Sequence, residues 1–351
     1  MSLICDISEF VVDSCGCEAR AAVVGGGRGG AADVKKTLEG LTATTEECAE
    51  DVARAPGSAC ASKPVLRAVE AFVEATASPA TISYAAATPS TSRLLPTAPE
   101  RATKVVLAAA EALECESESC VITHPAFRRF VEAERIIDPS VIDRDLEMRF
   151  KAEGPRSSTR LLNNFNIDET LRRWARLFPD FYPCPFAMMD FDRTREPFAT
   201  VDILDVLAGR APLDLGAGLG VVRRPARCFG CVVNTDTSSG PGKHWVAVFV
   251  DCRAPPWTVE YFNSAGNPPP RAMVGWMERT RARLLEGSAG AQVFSVPVTD
   301  MDHQESQTEC GLYALFYIRR RLEGTPYRFF FEQKVPDDAM TKFRAFVFRA
   351  T

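Results

Sequence analysis

The stretch HQESQTECGLYALFYI, residues 303–318, decides how this chain is interpreted. After a polar opening it becomes almost continuously apolar, and it runs on as RRRLEG to Gly324. An apolar run of this length closed by a glycine predicts a buried helix that begins at Cys310. The start of a helix favours negative charge, and only the thiolate of a cysteine is a nucleophile. Cys310 is therefore a candidate nucleophile, and Gly311 leaves room beside it for a substrate backbone.

A nucleophilic cysteine needs a base, and the chain has three histidines. His244 opens the alternating run HWVAVFVD, residues 244–251, which predicts a strand whose first side chain projects from the sheet edge. His124 precedes a proline in a helical region, and His303 lies in a loop. We expect the last two to be structural, which makes His244 the candidate base.

The base needs a partner that fixes its tautomer. Asn263 ends the next predicted strand, WTVEYFN, and its amide oxygen can accept the imidazole N–H. Glu260 and Asp251 are rival partners. We expect Glu260 to face the other side of its strand and Asp251 to end the preceding strand.

An attacked carbonyl becomes an oxyanion that needs hydrogen-bond donors aimed at it. Gln304, six residues before Cys310, can supply its side-chain amide, and Gln307 is a rival closer in sequence. Each residue alone is a weak signal. The ordered set His244, Asn263, Gln304 and Cys310 is far more specific, and it indicates thiol hydrolase chemistry.

At these residues the sequence resembles the Ulp1/adenain superfamily of cysteine proteases, which includes the SUMO-specific proteases. The similar segments are KHWVAVFVD (243–251), EYFNSAG (260–266) and the stretch 303–318, in the family order His, Asp/Asn/Glu, Gln, Cys. The sequence is most similar to the polyprotein-processing proteases of large DNA viruses, the African swine fever virus type, which also use asparagine. Residues 161–192 look like the helix and loop that open that catalytic domain.

The resemblance implies an α+β fold, in which a central mixed, mostly antiparallel sheet packs against a buried helix that carries the catalytic cysteine. It implies that Gln304 rather than Gln307 is the oxyanion residue. It also implies that Trp245 helps to wall a narrow substrate channel beside Gly311. We expect no cofactor and no metal.

The same resemblance implies a protein substrate. Members of the superfamily commonly cut after Gly-Gly-type pairs, and the virus-type relatives do so in structural polyproteins during virion maturation. We therefore expect an endopeptidase of the host cytoplasm, the virus factory and the virion. The glycines of GGGRGGA, residues 25–31, raise the hypothesis of self-cleavage, although a plain flexible linker is the simpler interpretation.

Two other functions stay open at this point. The first is an isopeptidase that removes SUMO or another ubiquitin-like modifier, although Asn263 stands where the cellular SUMO proteases have aspartate. The second is an inactive protease-like interaction protein. The presence of all four candidate residues speaks against it.

The chain divides at the polar stretch KAEGPRSSTR, residues 151–160. Residues 1–155 are predicted to be a helical accessory region with flexible linkers, and residues 156–351 to be the catalytic domain. The predicted linkers are 23–33 and 77–100, and the predicted helices are 34–41, 64–77, 102–113 and 126–136. In the second part we predict a helix over 166–178 capped by Asn166, and strands over 227–235, 244–251, 257–263 and 292–298.

The composition sets further limits. Twelve cysteines scattered through a chain of this length favour reduced thiols in an intracellular compartment. A net charge of −5 argues against broad nucleic-acid binding, and the run Arg319–Arg321 is interpreted as a solvated helix face.

The chain has no apolar run long enough to span a membrane. Cys228 and Cys231 are interpreted as buried thiols rather than metal ligands, because no second ligand pair follows at zinc-site spacing.

Overall fold

The computed structural model describes residues 47–50, 58–76, 98–155, 160–216, 219–288 and 290–349. Within them the chain forms two compact units. Residues 160–346 make up one, and residues 47–155 together with 347–349 make up the other. The sequence assigned residues 347–349 to the catalytic domain, whereas in the structure they belong to the helical unit. The predicted helix over 34–41, the glycines of 25–31, the linker over 23–33 and residues 77–97 of the linker predicted over 77–100 lie outside the described residues. Residues 98–100 of that linker are helical, so the prediction is wrong there.

The helical unit, in its described part, consists of helices and one small sheet. Its helices are α1 (Lys63–Thr76), α2 (Ala98–Leu113), α3 (Glu118–Thr123), α4 (Pro125–Glu134) and α5 (Pro139–Arg149). Strand β1 (Ala152–Glu153) pairs in parallel with the last strand of the chain, β10 (Phe348–Arg349). The predicted helices over 64–77, 102–113 and 126–136 are confirmed as α1, α2 and α4. Apolar side chains of these helices form the core, where the rings of Phe72 and Phe127 meet edge to face with centroids 5.7 Å apart.

Two disulfides join cysteines of this unit, Cys48 to Cys60 and Cys115 to Cys120. The expectation of reduced thiols is therefore wrong for these four residues. Each pair is local, with sequence separations of 12 and 5 residues, and the second spans the turn between α2 and α3. Scattered cysteines do not reveal such pairs, because only the folded backbone brings the two sulfur atoms together.

The catalytic unit is built around a mixed sheet of six strands. They are β2 (Phe181–Pro183), β3 (Ala187–Met188), β6 (Cys228–Asn234), β7 (Trp245–Asp251), β8 (Trp257–Phe262) and β9 (Val293–Val298). The order is β2-β6-β7-β8-β9, with β3 also beside β6. Strands β6, β7 and β8 are antiparallel neighbours, whereas β2, β3 and β9 pair in parallel. The predicted strands over 227–235, 244–251, 257–263 and 292–298 and the mixed sheet are confirmed.

Helices and a two-stranded ribbon surround this sheet. The elements before β6 are α6 (Asn164–Leu177), α7 (Phe191–Thr194), α8 (Pro197–Thr200), α9 (Ile203–Leu207), β4 (Leu213–Asp214) and β5 (Val221–Val222). The later helices are α10 (Arg271–Gly287), α11 (Cys310–Leu322), α12 (Phe329–Glu332) and α13 (Asp337–Val347). In the part of the chain that the structure describes, no helix combines the length and the apolar character needed to cross a bilayer.

The predicted cap of α6 is wrong by one turn. Asn163, not Asn166, caps the helix, and Asn166 takes the third helical position. The Asn163 side chain accepts from the Asn166 N–H at 2.9 Å, and the Asn166 side chain accepts from the Asn163 N–H at 3.1 Å. This reciprocal pair satisfies two free backbone donors. The helix therefore begins directly after Asn163, within the sequence NNFN, rather than after Asn166.

Helix α11 is buried along most of its length, as predicted, and packs against β7 and β6. The arginines at its end do not form the solvated face expected from the sequence. Arg319 and Arg321 are each only 6% exposed. The guanidinium of Arg319 lies over the rings of Trp174 and Phe178, and aromatic faces attract such cations. The interpretation of these arginines as a solvated face is wrong because their guanidinium groups contact side chains that are distant in sequence.

Arg321 fastens the end of α11 to the sheet. Its Nε and Nη2 donate to the two oxygens of Glu260, each at 2.8 Å, and Nη2 also donates to Asp251 at 2.9 Å. Glu260 is fully buried and accepts two further bonds, from Tyr317 at 2.7 Å and Thr258 at 2.6 Å. Every oxygen of this buried carboxylate is thus paired, which offsets the cost of removing its charge from water.

His303 is a structural residue of the same core. Its ring is 1% exposed, its Nδ1 accepts from the Val335 N–H at 3.1 Å, and its Nε2 donates to the Phe330 carbonyl at 3.1 Å. A proton on Nδ1 would face the Val335 N–H, so the site holds the neutral ring. Burial lowers the pKa of His303 to about 4 from 6.5.

We predict that Arg321→Met destabilises the catalytic unit by about 3–5 kcal/mol, because the charge of Glu260 stays buried without its cation. Urea unfolding followed by tryptophan fluorescence measures the effect. Arg279→Met is the matched control. Its ion pair with Asp192 at 2.7 Å is exposed, so it should cost less than about 1 kcal/mol. Equal midpoints for the two variants would contradict the role of Arg321.

We predict that His303 makes the protein acid-sensitive. Because its pKa falls from 6.5 when unfolded to about 4 when folded, its contribution is present above pH 6.5 and is lost as the pH falls towards 4. The full loss amounts to about 3 kcal/mol. The unfolding free energy of His303→Gln should therefore fall less than that of the wild type between these two pH values. Parallel curves for the two proteins would rule this out.

Candidate active site

Antiparallel pairing of β7 and β8 brings two candidate residues together. His244 immediately precedes β7, Asn263 immediately follows β8, and Ala247 pairs with Phe262, so both residues lie at one edge of the sheet. The imidazole Nε2 of His244 lies 2.8 Å from Oδ1 of Asn263. The structure therefore brings together the predicted base and its predicted partner.

The surroundings of Asn263 fix the tautomer of His244. Oδ1 of Asn263 also accepts from the Ala265 N–H at 3.0 Å, while its Nδ2 donates to Tyr261 and to the Asn267 carbonyl. These contacts set which end of the amide faces the histidine. Because Oδ1 can only accept, His244 must carry its proton on Nε2, and Nδ1 is left with the free lone pair of a base.

Cys310 is the first residue of α11, and it is 3% exposed. The backbone N–H groups of Trp245, the residue after His244, and of Gly311 and Cys310 favour the thiolate form of its side chain. Burial raises the pKa of this thiol, while the three N–H groups act in the opposite direction and the carboxylate of Glu309 raises the pKa further. The sulfur therefore lies in a buried site lined with donors that favour the thiolate once it forms.

Gln304 is held between two partners. Its Oε1 accepts from the Ser264 hydroxyl at 2.8 Å, and its Nε2 donates to the Ser306 carbonyl at 2.8 Å. Its rival Gln307 is exposed. The fixed position of Gln304, in the loop leading to Cys310, favours it as the candidate oxyanion donor.

Trp245 and Gly311 lie together at the start of α11. The indole N–H of Trp245 donates to the Leu162 carbonyl at 3.1 Å. A Cβ added at Gly311 would lie 3.1 Å from Cβ of Leu162 and 3.3 Å from Cδ1 of Trp245. The glycine thus lets Leu162 and Trp245 close on the helix, and sequence reasoning did not identify Leu162.

Sequence reasoning also missed Asn234, the last residue of β6, which is buried. Its Oδ1 accepts from the N–H of Asp236 at 2.9 Å and from the N–H of Lys243 at 3.0 Å. One side chain thereby closes both ends of the loop that leads to His244. An asparagine at the end of an apolar strand, just before a turn-rich loop, was the available signal.

The rival residues have structural roles. Glu260 and Asp251 bind Arg321, and His124 caps α4 by accepting from the Ala126 N–H at 3.2 Å. Cys228 and Cys231 are buried free thiols, and burial raises the pKa of Cys228 to about 12. Among the described residues, no three His, Cys, Asp or Glu side chains form a group that could hold a metal ion.

A separate cavity of about 280 Å³ lies beside β2, between α6 and the β4 segment. Its lining includes Asp168, Tyr182 and Cys184 but none of the four candidate residues. Burial raises the pKa of Asp168 to about 6. The four candidate residues therefore lie outside this cavity.

Residues 232–350 match the Ulp1 protease family, C-terminal catalytic domain. Two African swine fever virus proteins, described as a SUMO-1 cysteine protease and, in the Badajoz strain, a cysteine protease, are each 51% identical over 239 residues. The match covers 68% of this chain and 85% of theirs. A crystal structure of the African swine fever virus protease superposes with a TM-score of 0.71 at 41% identity, over 90% of this chain and 99% of that one.

The Ulp1-type fold expected from the sequence is thus confirmed, and so is the cysteine protease activity that the resemblance implied. Because it is 51% identical over 239 residues to a viral cysteine protease and covers 85% of that protein, this chain belongs to the Ulp1 family of cysteine proteases.

Proposed function

We propose that this protease is an endopeptidase that cuts after Gly-Gly-type sites in a viral structural polyprotein during virion maturation. Cys310 is the nucleophile, His244 the base, Asn263 its orienting partner and Gln304 the oxyanion donor. The observation that carries the assignment is the 2.8 Å contact between His244 and Asn263, because it leaves Nδ1 of the imidazole free to act as the base.

Each of the four residues has defined tasks in the proposed reaction. Nδ1 of His244 takes the thiol proton as Cys310 attacks the carbonyl of the glycine before the scissile bond. The oxyanion accepts bonds from the Cys310 N–H and from the amide of Gln304. His244 then protonates the leaving amine, and water, deprotonated by the same imidazole, hydrolyses the thioester.

The preference for glycine rests on the crowding at Gly311. Leu162 and Trp245 already lie within about 3.1–3.3 Å of where a Cβ at Gly311 would stand. A substrate that lies along this closely packed surface has little room for side chains next to the sulfur, which favours glycines there. Trp245 and Gly311 are thus proposed to contact the substrate, together with Leu162.

An isopeptidase acting on a ubiquitin-like modifier is the second candidate, since viral relatives are described as SUMO-1 cysteine proteases. The neutral Asn263 in place of an aspartate favours the polyprotein. The proposed location follows from that substrate and comprises the host cytoplasm, the virus factory and the virion.

We predict that the purified protein cleaves a Gly-Gly-Xaa peptide with higher kcat/KM than a matched Gly-Ala-Xaa peptide or a SUMO carrying a C-terminal reporter. Cys310→Ala should abolish cleavage, and His244→Ala should lower kcat by at least about 10²–10⁴-fold. Asn263→Ala should lower kcat less, because the imidazole remains.

Mass spectrometry of the products locates the cut. Circular dichroism of each variant checks that it remains folded. A preference for the SUMO reporter would favour the isopeptidase, and residual cleavage by Cys310→Ala would refute the nucleophile.

We predict that Glu309→Gln makes Cys310 reactive at lower pH. The Glu309 carboxylate raises the pKa of the thiol, so removing its charge should lower that pKa and move the alkylation profile towards acid. The measurement is the rate of iodoacetamide labelling of the Cys310 peptide against pH. Glu305→Gln is the matched control, because the Glu305 carboxylate pairs with Lys334 at 2.6 Å. A shift to higher pH, or equal shifts in both variants, would contradict the prediction.

A further inference from the structure

The oxyanion site contains a residue with no role so far, Ser264, which directly follows Asn263. It is 1% exposed, and its hydroxyl lies 2.8 Å from Oε1 of Gln304. Its carbonyl accepts from the N–H of His303 at 2.8 Å and from the N–H of Gln304 at 3.0 Å. Ser264 therefore holds both the backbone and the side chain of Gln304.

The direction of these bonds can be worked out from the acceptors. The Ser306 carbonyl can only accept, so the Gln304 atom 2.8 Å from it must be the amide nitrogen. The amide oxygen then faces Ser264, and the hydroxyl must donate. In the flipped amide, two oxygen atoms would face each other at Ser306. The Ser264 hydroxyl thus stabilises the same orientation of the Gln304 amide that the Ser306 carbonyl requires.

This orientation matters for the oxyanion. The amide nitrogen has two hydrogens, of which one is bound by Ser306, and the second is the donor available to a developing negative charge. If the amide rotated about its last side-chain bond, its oxygen could face the oxyanion and repel it. A hydrogen bond from Ser264 to Oε1 of Gln304 holds this oxygen away from the oxyanion. The amide nitrogen of Gln304 therefore stays available as the donor.

We propose that Ser264 is a positioning residue that fixes the amide of Gln304 in its donating orientation. Because Ser264 adjoins Asn263, one tight segment after β8 sets both the partner of the base and the donor for the oxyanion. The proposal rests on the proposed role of Gln304. Ser264 itself does not contact the reacting atoms.

A double-mutant cycle tests the proposal, with Ser264→Ala, Gln304→Ala and the double variant assayed on the Gly-Gly-Xaa peptide. Ser264→Ala should lower kcat by about 10-fold with KM unchanged, the effect of one lost hydrogen bond. Gln304→Ala should lower kcat by about 10²–10³-fold. The double variant should be no worse than Gln304→Ala, because Ser264 acts only through Gln304.

Alkylation of Cys310 by iodoacetamide gives the readout that a general structural defect would change. Alkylation forms no oxyanion, so its rate should be the same in the wild type and in all three variants. Ser295→Ala is the matched control, since it removes another partly buried hydroxyl bond, to Glu278 at 2.9 Å, and should leave kcat unchanged. Should Ser264→Ala fail to fold, Ser264→Cys keeps the shape of the side chain with a slightly larger atom and weakens the donor, and it enters the same cycle.

The outcomes separate the two assignments. Full activity of Gln304→Ala would overturn the oxyanion role and with it the role of Ser264. A damaging Gln304→Ala with a neutral Ser264 variant would overturn only the role of Ser264. Independent, multiplying losses in the double variant, or slower alkylation of Cys310, would also overturn it, since either shows that Ser264 acts on more than Gln304.

Discussion

The arrangement of the catalytic unit depends on the buried bond between Arg321 and Glu260. Arg321 lies eleven residues after Cys310, which corresponds to about 17 Å of helix. Strand β7 covers about 20 Å between Trp245 and Asp251. The helix and the strand are thus of similar length, and Arg321 joins their far ends through Glu260 and Asp251. An anchor at one end sets how the two elements are aligned at the other, where the start of α11 packs against Trp245 at Gly311.

An apolar contact would hold the helix on the sheet just as firmly, and buried ion pairs often add little to stability. What the polar anchor adds is direction. Glu260 receives bonds from Arg321, Tyr317 and Thr258, and these bonds form only when helix and strand are in one register. A slip of one residue along α11 would rotate Arg321 away from Glu260 and carry Cys310 away from Trp245. The register that pairs the buried charge of Glu260 is therefore also the register that aligns Cys310 with Trp245.

Much of this could be predicted from the sequence, because the signals are local. Alternation predicted the strands, a long apolar run predicted α11, and pairing of neighbouring strands was enough to bring His244 to Asn263. The errors concern contacts between distant segments. Arg321 looked solvated because Glu260 lies 61 residues away, and Leu162 gave no signal because Trp245 lies 83 residues away. The cap at Asn163 was missed for another reason, a choice among three nearby asparagines that only the backbone resolves.

The neutral partner of His244 has a consequence for the resting enzyme in the proposed mechanism. A carboxylate would stabilise an imidazolium, and it would favour a preformed pair of thiolate and imidazolium. Asn263 orients the ring without that charge, and burial raises the pKa of Cys310, so the resting thiol favours its protonated form. The proton then moves mainly as the thiol attacks, when the N–H groups around the sulfur and the amide of Gln304 meet the new charge. The proposed reaction thus depends on hydrogen-bond donors that are fixed before the attack. The rate therefore depends on how the side-chain amides of Asn263 and Gln304 are oriented.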